Sequence, residues 1–155
     1  EIAQCLVGSE MCIRDRHYTY ACEEFVDGIR VADMLGLSHE KVYKTLVTQG
    51  PAKDCFVFVI PVAEELDLKK AAKAVGQKSL SMLHVKDING VTGYIRGGCT
   101  AIGMKKQYPT VIEKKAEGLP SVIVSGGRIG SQIELLPADL ARAAEAQFED
   151  VVTEP

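Results

Sequence analysis

The run Cys55–Val62, CFVFVIPV, constrains this chain more than any other stretch. It carries no charge and is rich in β-branched and aromatic residues, the composition of a strand. Thr45–Thr48, TLVT, reads as a second strand, and the intervening QGPAKD contains the glycine and proline of a connecting turn. A hairpin is therefore predicted, with the apolar run as its buried member.

Around this hairpin the pattern alternates between helix and strand. Phe25, Ile29, Ala32 and Leu35 are spaced by four, three and three, which predicts one apolar helical stripe ending at Gly36. Ser38 is a candidate cap for a short turn through HEKVYKTL. Asp67 is placed to cap LKKAAKAVG, with Leu68, Ala71, Ala72 and Val75 on one face and Gly76 as the stop. Further on, KSLSML suggests a short strand and VKDING a turn. VTGYIRGG reads as a strand ending at Gly97-Gly98, and SVIVSGG and SQIELL as two more strands. Pro137 suits the first turn of a last helix, ADLARAAEAQF. Hairpin-like pairs outnumber βαβ units, so the predicted class is α+β around a mixed or antiparallel sheet. Residues 1–16 show neither periodicity and are read as a non-native or disordered segment, leaving 17–155 as one domain.

Composition narrows the function. With 46% hydrophobic and 25% charged residues among 155, the chain reads as one soluble domain, and no apolar run reaches the roughly 20 residues of a membrane span. Its five cysteines are odd in number and lack zinc-ligand spacing, which suggests reduced thiols in a cytoplasm and implies no metal or cofactor. Arg96–Lys115 holds five basic residues against one acid, while Ala138–Pro155 holds five acids against one arginine. The basic stretch, with Arg96, Lys105 and Lys106, is either a solvated face or a phosphate-attracting surface.

Chemistry has few candidates. There is no GxSxG elbow, and SGGRIG and GGCTAIG do not match a phosphate loop. By spacing, His17, His39 and His84 have no evident Ser or Cys partner, and Cys55 and Cys99 read as small buried residues. Lys44 lies between apolar neighbours, so it either snorkels outward or faces a cleft as a cation. Gly97-Gly98 and Gly126-Gly127 each follow a predicted strand. Such pairs serve tight turns, or they leave bare backbone N–H groups for a ligand oxygen.

Taken together, VYKTLVTQG, PVAEELDLKKAAKAVGQKS, VTGYIRGGCTAIGMKKQYPTVIE and SGGRIGSQIEL resemble the YbaK/EbsC family of aminoacyl-tRNA deacylases, in order from about Tyr18 to about Ala144. The resemblance implies a mixed, barrel-like β-sheet with surrounding helices. It implies trans-editing: removal of cysteine from mischarged Cys-tRNA(Pro), and also from Cys-tRNA(Cys), with prolyl-tRNA synthetase as a transient partner; a homodimer stays open as an assembly. Carried onto this sequence, it implies that Lys44 orients the 3′ end or the ester and that Gly97 and Gly98 present N–H groups to the carbonyl. Tyr20, Thr45, Ser125, Gly126 and Gln132 line the pocket, Gln132 standing where some members carry an acid. It also implies that the substrate's own thiol attacks its ester, so that no protein nucleophile is required. Removal of alanine from tRNA(Pro) by water, and non-catalytic binding of aminoacyl-tRNA or a synthetase, are the alternatives.

Overall fold

The computed structural model describes residues 16–21 and 27–154. The opening segment lies outside these residues except for Arg16, which begins the first strand; Phe25 lies outside them too. The chain runs β1 (Arg16–Thr19), α1 (Gly28–Met34), β2 (Tyr43–Gln49), β3 (Cys55–Pro61), α2 (Leu68–Ala74), β4 (Ser81–Met82), a 3₁₀ turn (Val85–Asp87) and α3 (Ile88–Thr92). It continues through β5 (Thr110–Glu113), a second 3₁₀ turn (Lys114–Gly118), β6 (Val122–Ser125), β7 (Ser131–Leu135), α4 (Pro137–Ala144) and β8 (Ala146–Glu149).

The predicted hairpin is the centre of the molecule. β2 and β3 pair antiparallel from Tyr43↔Pro61 to Gln49↔Cys55, and β3 pairs parallel with β5 on its other edge. The apolar run has no polar alternation because both its faces are covered. Phe56, Phe58 and Ile60 pack with Ala71 and Ala72 of α2, Leu80 and Val151. Val57 and Val59 pack with Ile112, Val122, Val124 and Leu140. Asp67 caps α2 by accepting from the N–H groups of Lys69 and Lys70, as its position predicts. On α1, Val31 and Ala32 are buried but Ile29 is 40% exposed, so the inward stripe is narrower than the spacing suggested.

Two strands went unread. β5 is only four residues long and sits inside the basic stretch; β8 follows α4 directly, where AQF looked like the helix's last turn. Glu145 adopts a left-handed conformation (φ 51°) that stops the helix and turns the chain into β8 beside β5. VTGYIRGG, conversely, is not a strand. Ile88–Thr92 is helical and Gly93 ends it at φ 85°. The Thr92 hydroxyl then donates to Ile88 O and accepts from Tyr94 N–H. Local turn chemistry thus overrides an apparent alternation.

The strands form two sheets, β4-β2-β3-β5-β8 and β1-β7-β6, and no closed barrel is present among the described residues. The sheets pack across a shared core, and among the described residues one backbone bridge, Val42↔Ile123, links them. Beyond it β2 parts from β6, and β4 pairs only with Thr48 and Gln49. Between these points the outer edge of β2 has no partner strand among the described residues.

A carboxylate ties the smaller sheet together. Glu134 accepts from the hydroxyls of Tyr18 and Ser121 and from the Lys41 ammonium. Burial pushes its pKa up, but these donors and the lysine charge outweigh that and hold it at about 2, against an ordinary 4.5. The carboxylate's stabilising effect is full above the unfolded value and is lost as pH falls through about 2. Glu134→Gln is expected to destabilise the fold by about 1–3 kcal/mol at pH 7. In urea titrations that penalty should shrink steadily between pH 5 and pH 2.

Candidate functional site

The site lies between β2 and the end of the smaller sheet. Lys44 is the second residue of β2, paired with Ile60 on one edge and with no partner strand on the other among the described residues. Its Nζ donates to Val62 O at 3.3 Å, and no carboxylate forms an ion pair with it among the described residues. Burial lowers its pKa from 10.5, partly opposed by the charges of Glu65 and Asp27. It is a half-buried cation without a counter-ion in contact.

A second wall comes from the loop after α3. Gly97 has φ 87°, open to glycine and strained for other residues. Gly98 is needed for a different reason. A Cβ there would lie 2.8 Å from Arg128 Cα and 3.0 Å from Arg128 C, so this loop packs backbone to backbone on the β6–β7 turn. The Gly98 N–H is occupied, donating to Ile95 O at 2.9 Å. Gly97 and Cys99 line the cleft instead, and neither of their N–H groups has an acceptor among the described residues.

The third wall is the end of the smaller sheet. Ser125 closes β6, 8% exposed, with its hydroxyl accepting from Gly127 N–H at 3.2 Å. Gln132, paired opposite it on β7, is 6% exposed. Gly126 donates to Ser131 O, and a Cβ at Gly126 would fall 2.3 Å from Ser131 Oγ.

Lys44, Thr45, Arg96, Gly97, Cys99, Ser125 and Gln132 thus border one cleft of about 740 Å³. Other predicted site residues stand apart. Gly98 and Gly126 support the walls without lining them, and Tyr20 binds the β6–β7 turn through its N–H to Gly130 O. Lys105 reaches Gly90 O. Lys106 acts on Cys55 at the turn end of the hairpin, about 17 Å of strand from Lys44. His17 does have a serine partner, Ser131 Oγ at 2.7 Å, but Ser131 is fully buried and cannot meet a substrate.

Sequence reasoning missed two features of the cleft. Its mouth carries Ile29, Met82 and Val85, at 40%, 45% and 55% exposure, half of the large apolar side chains exposed among the described residues. Its lining also includes Asp27, Glu64 and Glu65. The acidic pair was visible in PVAEELDL, but no periodicity assigns a loop to a cleft. Among the described residues no group of three His, Cys, Asp or Glu side chains is arranged to hold a metal ion, and no helix is long and apolar enough to cross a membrane.

Comparison with known proteins bears on this cleft. Residues 24–143 match the aminoacyl-tRNA editing domain family. The chain is 45% identical over 139 residues to EbsC of Enterococcus faecalis, a protein provisionally named Cys-tRNA(Pro)/Cys-tRNA(Cys) deacylase, covering 89% of this chain and 85% of that one. In fold it is similar to a protein described provisionally as a trans-editing enzyme for prolyl-tRNA synthetase, with TM-score 0.83, 21% identity and coverage of 97% and 94%. It is equally similar to a scaffold from work on computational grafting of epitope backbones, with TM-score 0.84, 22% identity and coverage of 99% and 96%. With the family model spanning most of its length and a relative at 45% identity along nearly all of it, this chain belongs to the aminoacyl-tRNA editing domain family.

Proposed function

We propose that the cleft deacylates mischarged Cys-tRNA(Pro), and Cys-tRNA(Cys), by stabilising attack of the substrate's own thiol on its ester. One observation carries this reading: among the described residues, an ammonium without a counter-ion in contact and two backbone N–H groups without acceptors border a cleft that holds no accessible nucleophile–base pair. In the reaction the cysteine sulfur bonds to the carbonyl carbon, the bond to the 3′ ribose oxygen breaks, and the thiol proton ends on that oxygen. The products are a cyclic thioester and tRNA with a free 3′ hydroxyl.

The protein's tasks are orientation and charge. Good intramolecular alignment removes up to roughly 7–11 kcal/mol of barrier, and each oxyanion donor contributes about 3–4 kcal/mol. Gly97 and Cys99 N–H face the carbonyl oxygen as it becomes negative, in place of the Gly97–Gly98 pair first expected. Lys44 orients the terminal nucleotide or the ester. Thr45, Ser125 and Gln132 shape the amino-acid side, and Arg96 meets phosphate at the rim. Tyr20 and Gly126 act from behind, and Lys105 and Lys106 have only an outer, electrostatic part. The chain works in the cytoplasm on tRNA charged by prolyl-tRNA synthetase, which is its transient partner.

The cleft's own thiol is kept out of the chemistry. Burial pushes Cys99 up to about 11, a hydrogen bond with Thr92 offsetting part of that, so the thiol is protonated at neutral pH. Cys99→Ala is therefore expected to keep kcat/KM within about threefold, since its backbone N–H remains; a loss above tenfold would make the protein thiol a participant. The function itself is tested by incubating the protein with cysteinyl-, alanyl- and prolyl-tRNA(Pro). Rapid release of cysteine with alanine and proline retained is expected. Preferential release of alanine would point to water as nucleophile, and no release from any of the three would end the enzymatic reading.

A further inference from the structure

The cleft is lined by charges of both signs, and an aminoacyl ester carries both as well. Its nucleotide side carries a phosphate anion; its amino-acid side carries an α-amine that becomes an ammonium at mildly acidic pH. Lys44 and Arg96 suit the first, and an incoming ammonium would be repelled by both. Neutral Ser125 and Gln132 offer it no charge. Asp27, Glu64 and Glu65, which also line the cleft, do.

These three carboxylates are not equivalent. Asp27 is engaged as the cap of α1, accepting from Arg30 N–H at 3.0 Å. Glu64 binds the Lys115 ammonium through Oε1, while its Oε2 is buried with no hydrogen-bond partner. The hydroxyl of Tyr43, another cleft residue and only 3% exposed, is likewise buried and without a partner. Buried polar atoms left unpaired are uncommon and indicate a missing partner. Glu65 is exposed, makes no ion pair or side-chain hydrogen bond among the described residues, and is the carboxylate felt most strongly at Lys44.

We propose that Glu65, supported by the unpartnered Oε2 of Glu64, receives the α-ammonium of the aminoacyl group, so that the cleft selects free aminoacyl esters over esters without that charge. This rests on the deacylase reading above. Glu65 is a positioning residue: it turns the amino acid so that its side-chain thiol and carbonyl lie toward Gly97 and Cys99. N-acylated and peptidyl esters, which lack the ammonium, are then poor substrates.

The experiment compares cysteinyl-tRNA(Pro) with 3-mercaptopropionyl-tRNA(Pro), which keeps the thiol and the ester and lacks only the amine, at pH 6.5. The unaltered protein should favour the cysteinyl ester at least about tenfold in kcat/KM, and Glu65→Gln should lower that ratio about fivefold by slowing the cysteinyl reaction alone. The deaminated ester is the internal control for folding. If the Gln variant loses both reactions, Glu65→Asp, which keeps the charge, must restore the cysteinyl preference. A ratio that moves less than twofold, or an Asp variant that fails to restore it, overturns the proposal and leaves the deacylase reading standing. If the unaltered protein cleaves neither ester, the deacylase reading falls and this inference with it.

Discussion

Replacing Lys44 by alanine lowers kcat/KM for cysteinyl-tRNA(Pro) about 100- to 1,000-fold, the usual cost of a lost charge-stabilising donor. The expectation follows from the environment of Lys44. Its ammonium is half-buried and, among the described residues, binds one carbonyl oxygen and meets no acid in contact. A surface lysine of that kind would be dispensable; one bordering a cleft is held in reserve for a ligand. Single-turnover assays are the measurement, because they separate loss of chemistry from loss of tRNA binding. A variant within threefold of the unaltered protein removes Lys44 from the mechanism.

Stability should move the other way. Burial lowers the Lys44 pKa, so between its folded and unfolded values the unfolded chain binds more protons and stability rises with pH. Keeping this lysine charged at neutral pH therefore costs the fold some stability. Lys44→Met, which retains the aliphatic stem, is expected to stabilise by roughly 0.5–2 kcal/mol while being as inactive as Lys44→Ala. A gain in stability with loss of activity is the signature of a residue kept for function. Equal losses of both would indicate a structural lysine.

What the sequence made readable, and what it hid, follows from the range of the interactions involved. The β2–β3 hairpin, the Asp67 cap and the strand before Ser125 announce themselves through local composition, and all three appear where expected. β8 did not, because its existence depends on β5 lying beside it, more than thirty residues away. The VTGYIRGG segment misled because apolar spacing was weighed above the stop at Gly93 and the Thr92 hydroxyl. The barrel-like mixed sheet was an inference from family likeness, and the Val42↔Ile123 bridge marks one place where its two parts join. In the cleft, Lys44, Gly97, Ser125 and Gln132 were readable through motifs. The free N–H of Cys99 was not: which amide of GlyGlyCys remains open depends on the turn bond from Gly98 to Ile95.

That division between the two glycines leads to the second large effect. Gly98→Ala is expected to destabilise the protein by about 1–3 kcal/mol and to reduce deacylation about 10- to 100-fold. Dihedral strain is not the cause, since Gly98 is not among the glycines with positive φ. The added methyl would meet backbone, Arg128 Cα at 2.8 Å and Ile129 N at 3.1 Å, and backbone cannot rotate aside as a flexible side chain does. The loop must lift from the β6–β7 turn, and the N–H groups of Gly97 and Cys99 lift with it. Displacement of such donors by about 1 Å is enough for losses of this size. Gly90→Ala is the matched comparison: it lies in α3, has no atom within 4 Å of the added methyl, and should leave activity unchanged with stability equal or slightly higher. If both alanines behave alike in melting and in single-turnover assays, contact between the two glycine-bearing loops is not what holds the cleft in its working shape.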